Sequence, residues 1–252
     1  MNNIVLKKNF LLFIIFSIIF AIFFLYIKHN VGNDSSVSEW LINYNGGFTR
    51  RGLGGEIAIM IANLFDFSLR QSIFFIQSLF HVSYLVLVFL YLKNLKVNII
   101  QLFAIYAPLF ILYPIAEIEA LGRKEIILFL SFLIILFLCS NKNSKKYINI
   151  YCFFVLPIVC LIYEQVVLFF PFFAVVIIIE NNLNTFKKAF RNLLIIFSPS
   201  ILTFAYIFLN PLSIEGHGVM CDYLQSEFGE KCYMSAKLLV RNTIYFSTFD
   251  VV

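Results

Sequence analysis

Charged residues are scarce in this sequence. They make up 13% of its 252 residues, against about 25% in a soluble domain, which excludes a water-facing surface of ordinary composition. The formal net charge is +5, but the basic residues are scattered between apolar runs. No basic face is available for nucleic acid. P-loop, dinucleotide-fingerprint, HExxH and GxSxG patterns are all missing, which disfavours nucleotide-driven pumping and soluble-nucleotide chemistry. There is no internal repeat, heptad or low-complexity tract. A small-x-small cleavage site is missing as well. The first apolar run follows Lys7 and Lys8 and ends in Leu25-Tyr26-Ile27-Lys28, as in an uncleaved signal anchor.

What is abundant is apolar length. Hydrophobic residues form 61% of the chain, phenylalanine alone numbers 32, and the mean hydropathy is +0.90. A membrane-crossing helix needs roughly 20 mainly apolar residues. Runs near 9–27, 71–92, 97–116, 126–140, 147–163, 165–180 and 192–209 meet or approach that length. They predict an all-α polytopic membrane protein of about seven spans over residues 1–209. Pro114, Pro157, Pro171 and Pro199 fall in or near these runs, where neighbouring groups can satisfy the carbonyls they free. Residues 55–66 are too short to cross and predict an interfacial or re-entrant helix at the outer surface. Residues 210–252 read as an outer loop. The residues from Thr248 onward look like the start of another apolar segment, so the chain is expected to be a truncated product or a fragment of a longer transporter-like or transferase-like protein.

Charge sets the expected orientation. With Lys7 and Lys8 inside, the inner connections hold Lys93 and Lys96, then Lys142, Lys145 and Lys146, then Lys187, Lys188 and Arg191, in accord with the positive-inside rule. All but Glu180 of the 14 acidic residues then fall on the outer side. The expected location is a bacterial inner membrane with a cytoplasmic N-terminus, and the chemistry is expected on the outer face.

Half of the ten glycines lie in Asn43-Tyr-Asn-Gly-Gly-Phe-Thr-Arg-Arg-Gly-Leu-Gly-Gly-Glu56. Such a loop can expose consecutive N–H groups to an anion. Arg50 and Arg51 stand before a predicted helix start, where the dipole favours negative charge. An anion between dipole and guanidinium groups would reconcile the two; contact with lipid headgroups is the plainer alternative. Pro114-Ile-Ala-Glu117-Ile-Glu119-Ala-Leu-Gly122-Arg123-Lys124-Glu125 repeats the pattern. Glu117 and Glu119, two apart, would not share a helix face. Either can be a general base or a structural partner of Arg123. Glu164, at the hairpin tip Tyr163-Glu164-Gln165, is either a functional carboxylate near lipid or a solvated turn residue. Glu56 is a further carboxylate candidate.

Of the five cysteines, Cys221 and Cys232 lie in the outer loop, where a disulfide is expected. Zinc binding with His217 is less expected because CxxC spacing is absent. Cys139, Cys152 and Cys160 read as packing residues. His217, flanked by glycines, reads as an ordinary loop histidine or as an acid–base group. His81 is expected to be a packed core residue, and Trp40 and Tyr44 members of an interfacial aromatic belt.

The glycine–arginine stretch, together with Gly122-Arg123-Lys124-Glu125, resembles multi-span proteins of bacterial surface-polysaccharide clusters. These are the Wzy-like O-antigen or capsule repeat-unit polymerases and the related GT-C-type membrane glycosyltransferases. The resemblance implies a substrate of undecaprenyl-diphosphate-linked oligosaccharide, joined into surface polysaccharide at the periplasmic face. It implies that Arg50, Arg51, Arg123 and Lys124 hold the diphosphate. The acceptor hydroxyl would be activated by Glu56, Glu117, Glu119, Glu164 or His217. Flippase and chain-length regulator proteins are the implied partners, and neither cofactor nor metal is called for. In the GT-C alternative the donor is a polyprenyl-phosphate sugar, with Asp34 or Glu39 as base. A glycolipid flippase is the non-enzymatic alternative.

Overall fold

The structure is a computed structural model. It describes residues 4–30, 35–93, 103, 105–107, 113–117, 120–140, 143–183 and 185–232. Helices account for all the extended secondary structure among them. In order these are α1 (Ile4–His29), α2 (Ser35–Ser38), α3 (Gly52–Phe65), α4 (Leu69–Leu92), α5 (Tyr113–Ala116) and α6 (Glu125–Cys139). Then come α7 (Ser144–Ile162), a 3-10 stretch (Glu164–Phe169), α8 (Phe170–Glu180), α9 (Phe186–Leu209) and α10 (Ile214–Phe228).

Four of these helices are long and apolar enough to cross a bilayer: Lys8–His29 within α1, α4, α7 and α9. This is the build of a membrane protein. The other expected spans have different forms. Residues 126–140 lie in α6, whose 15 residues rise about 22 Å, less than the roughly 30 Å of a hydrocarbon core. Residues 165–180 begin as the 3-10 stretch and become helical only over the 11 residues of α8. Pro171 lacks the N–H that would bond back to Val167, and it stands in the first turn of α8, where that bond is not needed. Most of 97–116 falls outside the described residues. The expected outer loop contains α10, started by Ser213, whose hydroxyl accepts the Gly216 N–H at 3.0 Å.

The apolar stripe of α1 explains its partner. Phe10, Ile14, Ala21 and Leu25 are buried at helical spacing, while Leu12, Phe16, Ile19 and Phe23 are exposed, an arrangement without penalty in lipid. The buried stripe packs on Ile73, Ile76, Leu85 and Val88 of α4. The two run antiparallel: Phe10 stacks on Phe89 at one end. At the other end Arg70 donates to the His29 carbonyl at 3.1 Å, satisfying a backbone group that the terminus of α1 would leave open. Arg70 also forks onto both oxygens of Glu230, at 2.6 and 2.8 Å. A capping box starts α4: Ser68 Oγ accepts the Gln71 N–H and Gln71 Oε1 accepts the Ser68 N–H.

Two prolines are accommodated locally. A π turn at Tyr151–Val155 precedes Pro157 in α7. In α9 the Ser198 hydroxyl donates to the Ile195 carbonyl at 2.9 Å, the acceptor that Pro199 leaves without its usual N–H.

Helix α3 presents Gly52, Gly54, Gly55, Ala58 and Ala62 to the interior. These small residues let backbones meet. A Cβ on Gly55 would lie 2.0 Å from the Ile42 carbonyl oxygen and 3.0 Å from that of Trp40. Gly55→Ala is therefore expected to cost about 1–3 kcal/mol through overpacking. A thermal melt in detergent micelles checks this.

Candidate functional site

The site is built at the end of the bundle where α1 stops and α4 and α6 start. Three buried donors grip the loop before α6. Trp40 Nε1 and Gln77 Nε2 both donate to the Gly122 carbonyl at 2.8 Å, and Lys28 Nζ donates to the Leu121 carbonyl at 2.9 Å. Gly122 has φ +87°, and a Cβ there would sit 3.0 Å from Gln77 Nε2, so both its conformation and its surroundings call for glycine. The grip directs Arg123 and Lys124 toward the loop that precedes α3.

That loop ends at Arg51, directly before the first residue of α3. Arg51 is a non-glycine residue in the left-handed region, with φ 62° and ψ 6°. Residues held there cluster at functional sites. Its Nε donates to both carboxylate oxygens of Glu164, at 3.0 and 2.9 Å. Its Nη1 reaches Glu39 Oε1 at 3.4 Å, and the guanidinium lies 5.2 Å over the Tyr163 ring. Burial works against the Arg51 charge, but Glu164 and Glu39 outweigh it and hold the group above its ordinary pKa. Arg123 Nη2 contacts the same Glu39 oxygen at 3.5 Å and Glu125 Oε1 at 3.1 Å. Its side chain is 42% exposed, whereas Lys124 is fully buried. Lys124 Nζ donates to the Arg51 carbonyl at 2.8 Å and lies 5.2 Å over the Trp40 ring. It occupies space beside Gly54, where a Cβ would come within 3.1 Å.

Three cations and three carboxylates from four separate stretches of chain therefore converge, and their formal charges cancel. Glu39 Oε2 and Arg123 Nε are buried with no hydrogen-bond partner among the described residues. Glu39 is the central case. It is 6% exposed, one of its oxygens sits between two guanidinium groups, and the other has no donor among the described residues. An acceptor-only oxygen in that position fits a hydroxyl group.

Lys124 gives the cluster a pH signature. Burial first, and then the neighbouring Arg51, push its pKa down to about 7, while Glu39 and Glu164 pull the other way. Its folded-state value lies below the unfolded value of about 10.4, so the unfolded chain binds more protons between the two. The cost of burying the ammonium is thus present below pH 7 and relieved as pH rises toward about 10. Melting temperature is expected to climb over that window in the wild type relative to Lys124→Met, as melts in micelles across the range would show.

The structure places the sequence candidates unequally. Arg51, Arg123, Lys124, Glu164 and Glu39 come together. Arg50 lies half-buried in the adjoining loop. Glu56 is engaged elsewhere, its carboxylate accepting the Tyr44 N–H at 2.6 Å, and the nearby Tyr44 hydroxyl is pushed up to about 12, chiefly by burial. Glu117 is exposed, and its backbone carbonyl accepts the N–H groups of Ala120 and Leu121. Glu119 and Asp34 lie outside the described residues. His217 sits on α10 against Cys221, and Cys221 is disulfide-bonded to Cys232. His81 is buried on α4 with Nδ1 2.8 Å from the Gln77 carbonyl. Trp40 is a buried hydrogen-bond donor within the site rather than an interfacial belt residue.

Sequence reasoning passed over Gln77, Glu125 and Tyr163 as site members. An amide inside an apolar run is a legible signal for Gln77. For Glu125 and Tyr163, no local pattern distinguishes site residues from turn residues. No protein-family model, curated protein or solved structure matches the chain.

Proposed function

We propose that this chain is a glycan-transferring protein of a bacterial inner membrane, crossing it about seven times with its N-terminus in the cytoplasm. Its substrate is a polyprenyl-diphosphate-linked oligosaccharide, and the charged cluster faces the periplasm. The observation that carries this reading is buried Glu39, whose Oε1 lies between Arg51 and the half-exposed Arg123 while its Oε2 has no donor among the described residues. Glu39 accepts the proton of an acceptor sugar hydroxyl as that oxygen attacks the donor sugar. Arg123, together with Arg50 of the loop before α3, stabilises the negative charge that develops on the departing lipid diphosphate. Arg51, engaged by Glu164 and Glu39, and Lys124, buried behind it, orient the carboxylates rather than meeting phosphate directly.

A second reading is favoured by the cancelling charges of the cluster: a polyprenyl-phosphate sugar as donor, whose single phosphate asks for fewer free cations. A flippase is less well supported, because ionisable groups gather at the bundle end rather than at mid-span. Deleting the gene and profiling the surface glycan tests the reading. Loss of the long-chain ladder with a single capped repeat retained supports polymerisation. Missing repeat units point to a sugar transferase or flippase. An unchanged glycan overturns the proposal.

A further inference from the structure

A separate cluster on α10 carries an inference independent of the transfer reaction. His217 and Cys221 are four residues apart on one helix and so share a face. The His217 ring nitrogens lie 3.6 and 3.8 Å from Cys221 Sγ. Cys232, on the segment that follows α10, brings a second sulfur, and one ligand atom from each residue lies within 4.8 Å of the others. All three residues are partly exposed, and no described residue lies within 4 Å of the position a Cβ would take on the neighbouring Gly218. Ion and reductant therefore have access.

We propose that reduction of the Cys221–Cys232 disulfide converts this cluster into a zinc site with His217, Cys221 and Cys232 as ligands. The spacing agrees with tetrahedral zinc. Bonds of about 2.3 Å to sulfur and about 2.0–2.1 Å to nitrogen place ligating S and N about 3.6 Å apart, which is the observed His217–Cys221 separation. The two sulfurs must part to about 3.8 Å, and the His217–Cys232 separation, now within 4.8 Å, must settle near about 3.6 Å. A dithiol passes two electrons to the disulfide and becomes a disulfide itself. The two thiols formed lose their protons to solvent as the metal binds. Water takes the fourth position, as in open zinc sites. The disulfide is thus the metal-free form, and one helix face serves either a covalent or a coordinate cross-link.

The test uses the full chain in micelles, reduced without oxygen and titrated with Co²⁺, then with Zn²⁺ as competitor. The reduced wild type is expected to take up a single Co²⁺ with a thiolate-to-cobalt charge-transfer absorption that Zn²⁺ removes. The oxidised protein is expected to show none. His217→Ala should weaken binding at least about tenfold while its disulfide still forms on reoxidation, which reports that α10 remains folded. If reduced wild type binds no more Co²⁺ than the Cys221→Ser/Cys232→Ser variant, the proposal is overturned. Undiminished binding in His217→Ala overturns it equally.

Discussion

Under the proposed function, Glu39→Gln is expected to slow glycan transfer by about 10²–10⁴-fold, the usual contribution of a positioned proton acceptor. Glutamine keeps the shape and the contacts of Oε1 with Arg51 and Arg123, but its amide is not basic. The position of Oε2 then carries no charge to draw a proton from the acceptor hydroxyl. Arg51 retains its two bonds to Glu164, so the change leaves the main pairing of the cluster in place. A transfer assay with lipid-linked oligosaccharide in proteoliposomes measures the loss, and a melt of the same preparation establishes that the fold survives. Wild-type turnover in the variant would remove Glu39 from the mechanism. Arg123→Ala acts at the other end of the reaction and should lower the rate with less effect on its pH profile.

Glu164→Ala has the largest expected effect on stability, about 3–5 kcal/mol, because it leaves a buried guanidinium without its main partner. The Arg51 and Glu164 side chains are 16% and 11% exposed, far from the exposed pairs that contribute about 0–1 kcal/mol. The damage should spread along a physical route. Arg51 holds a left-handed backbone conformation, and its carbonyl receives Lys124, so releasing its guanidinium frees a residue already under backbone strain. Replacing both partners with apolar residues, as in Arg51→Met with Glu164→Leu, should recover much of the loss, since no charge is then buried alone. Melts of the three proteins in micelles decide this. Equal destabilisation by the single and double changes would show that the pair contributes through something other than its charge.

Several elements of this protein were legible locally. The long uncharged runs that became α1, α4, α7 and α9 follow from composition, because lipid admits only helices or closed barrels. The helix start at Gly52, directly after two arginines, was visible from the glycine-rich run. The crowding of polar groups beside Arg51 and Lys124 was also legible as a type of site. The roles within it were not. Arg51 and Lys124, read as direct anion ligands, have carboxylate and carbonyl partners already in the structure, and Glu39 holds the free oxygen.

By itself the sequence determined the solvent and the four long apolar helices, because hydrophobic length and backbone hydrogen bonding act over neighbouring residues. Tertiary structure alone decided which polar groups meet. Arg51 pairs with a carboxylate 113 positions away, and Trp40 reaches a carbonyl 82 positions away. Such distant pairings depend on where glycines let loops cross and on which buried donors lack other partners. Those conditions belong to the packed chain, where a charge excluded from water takes the nearest opposite charge the fold provides.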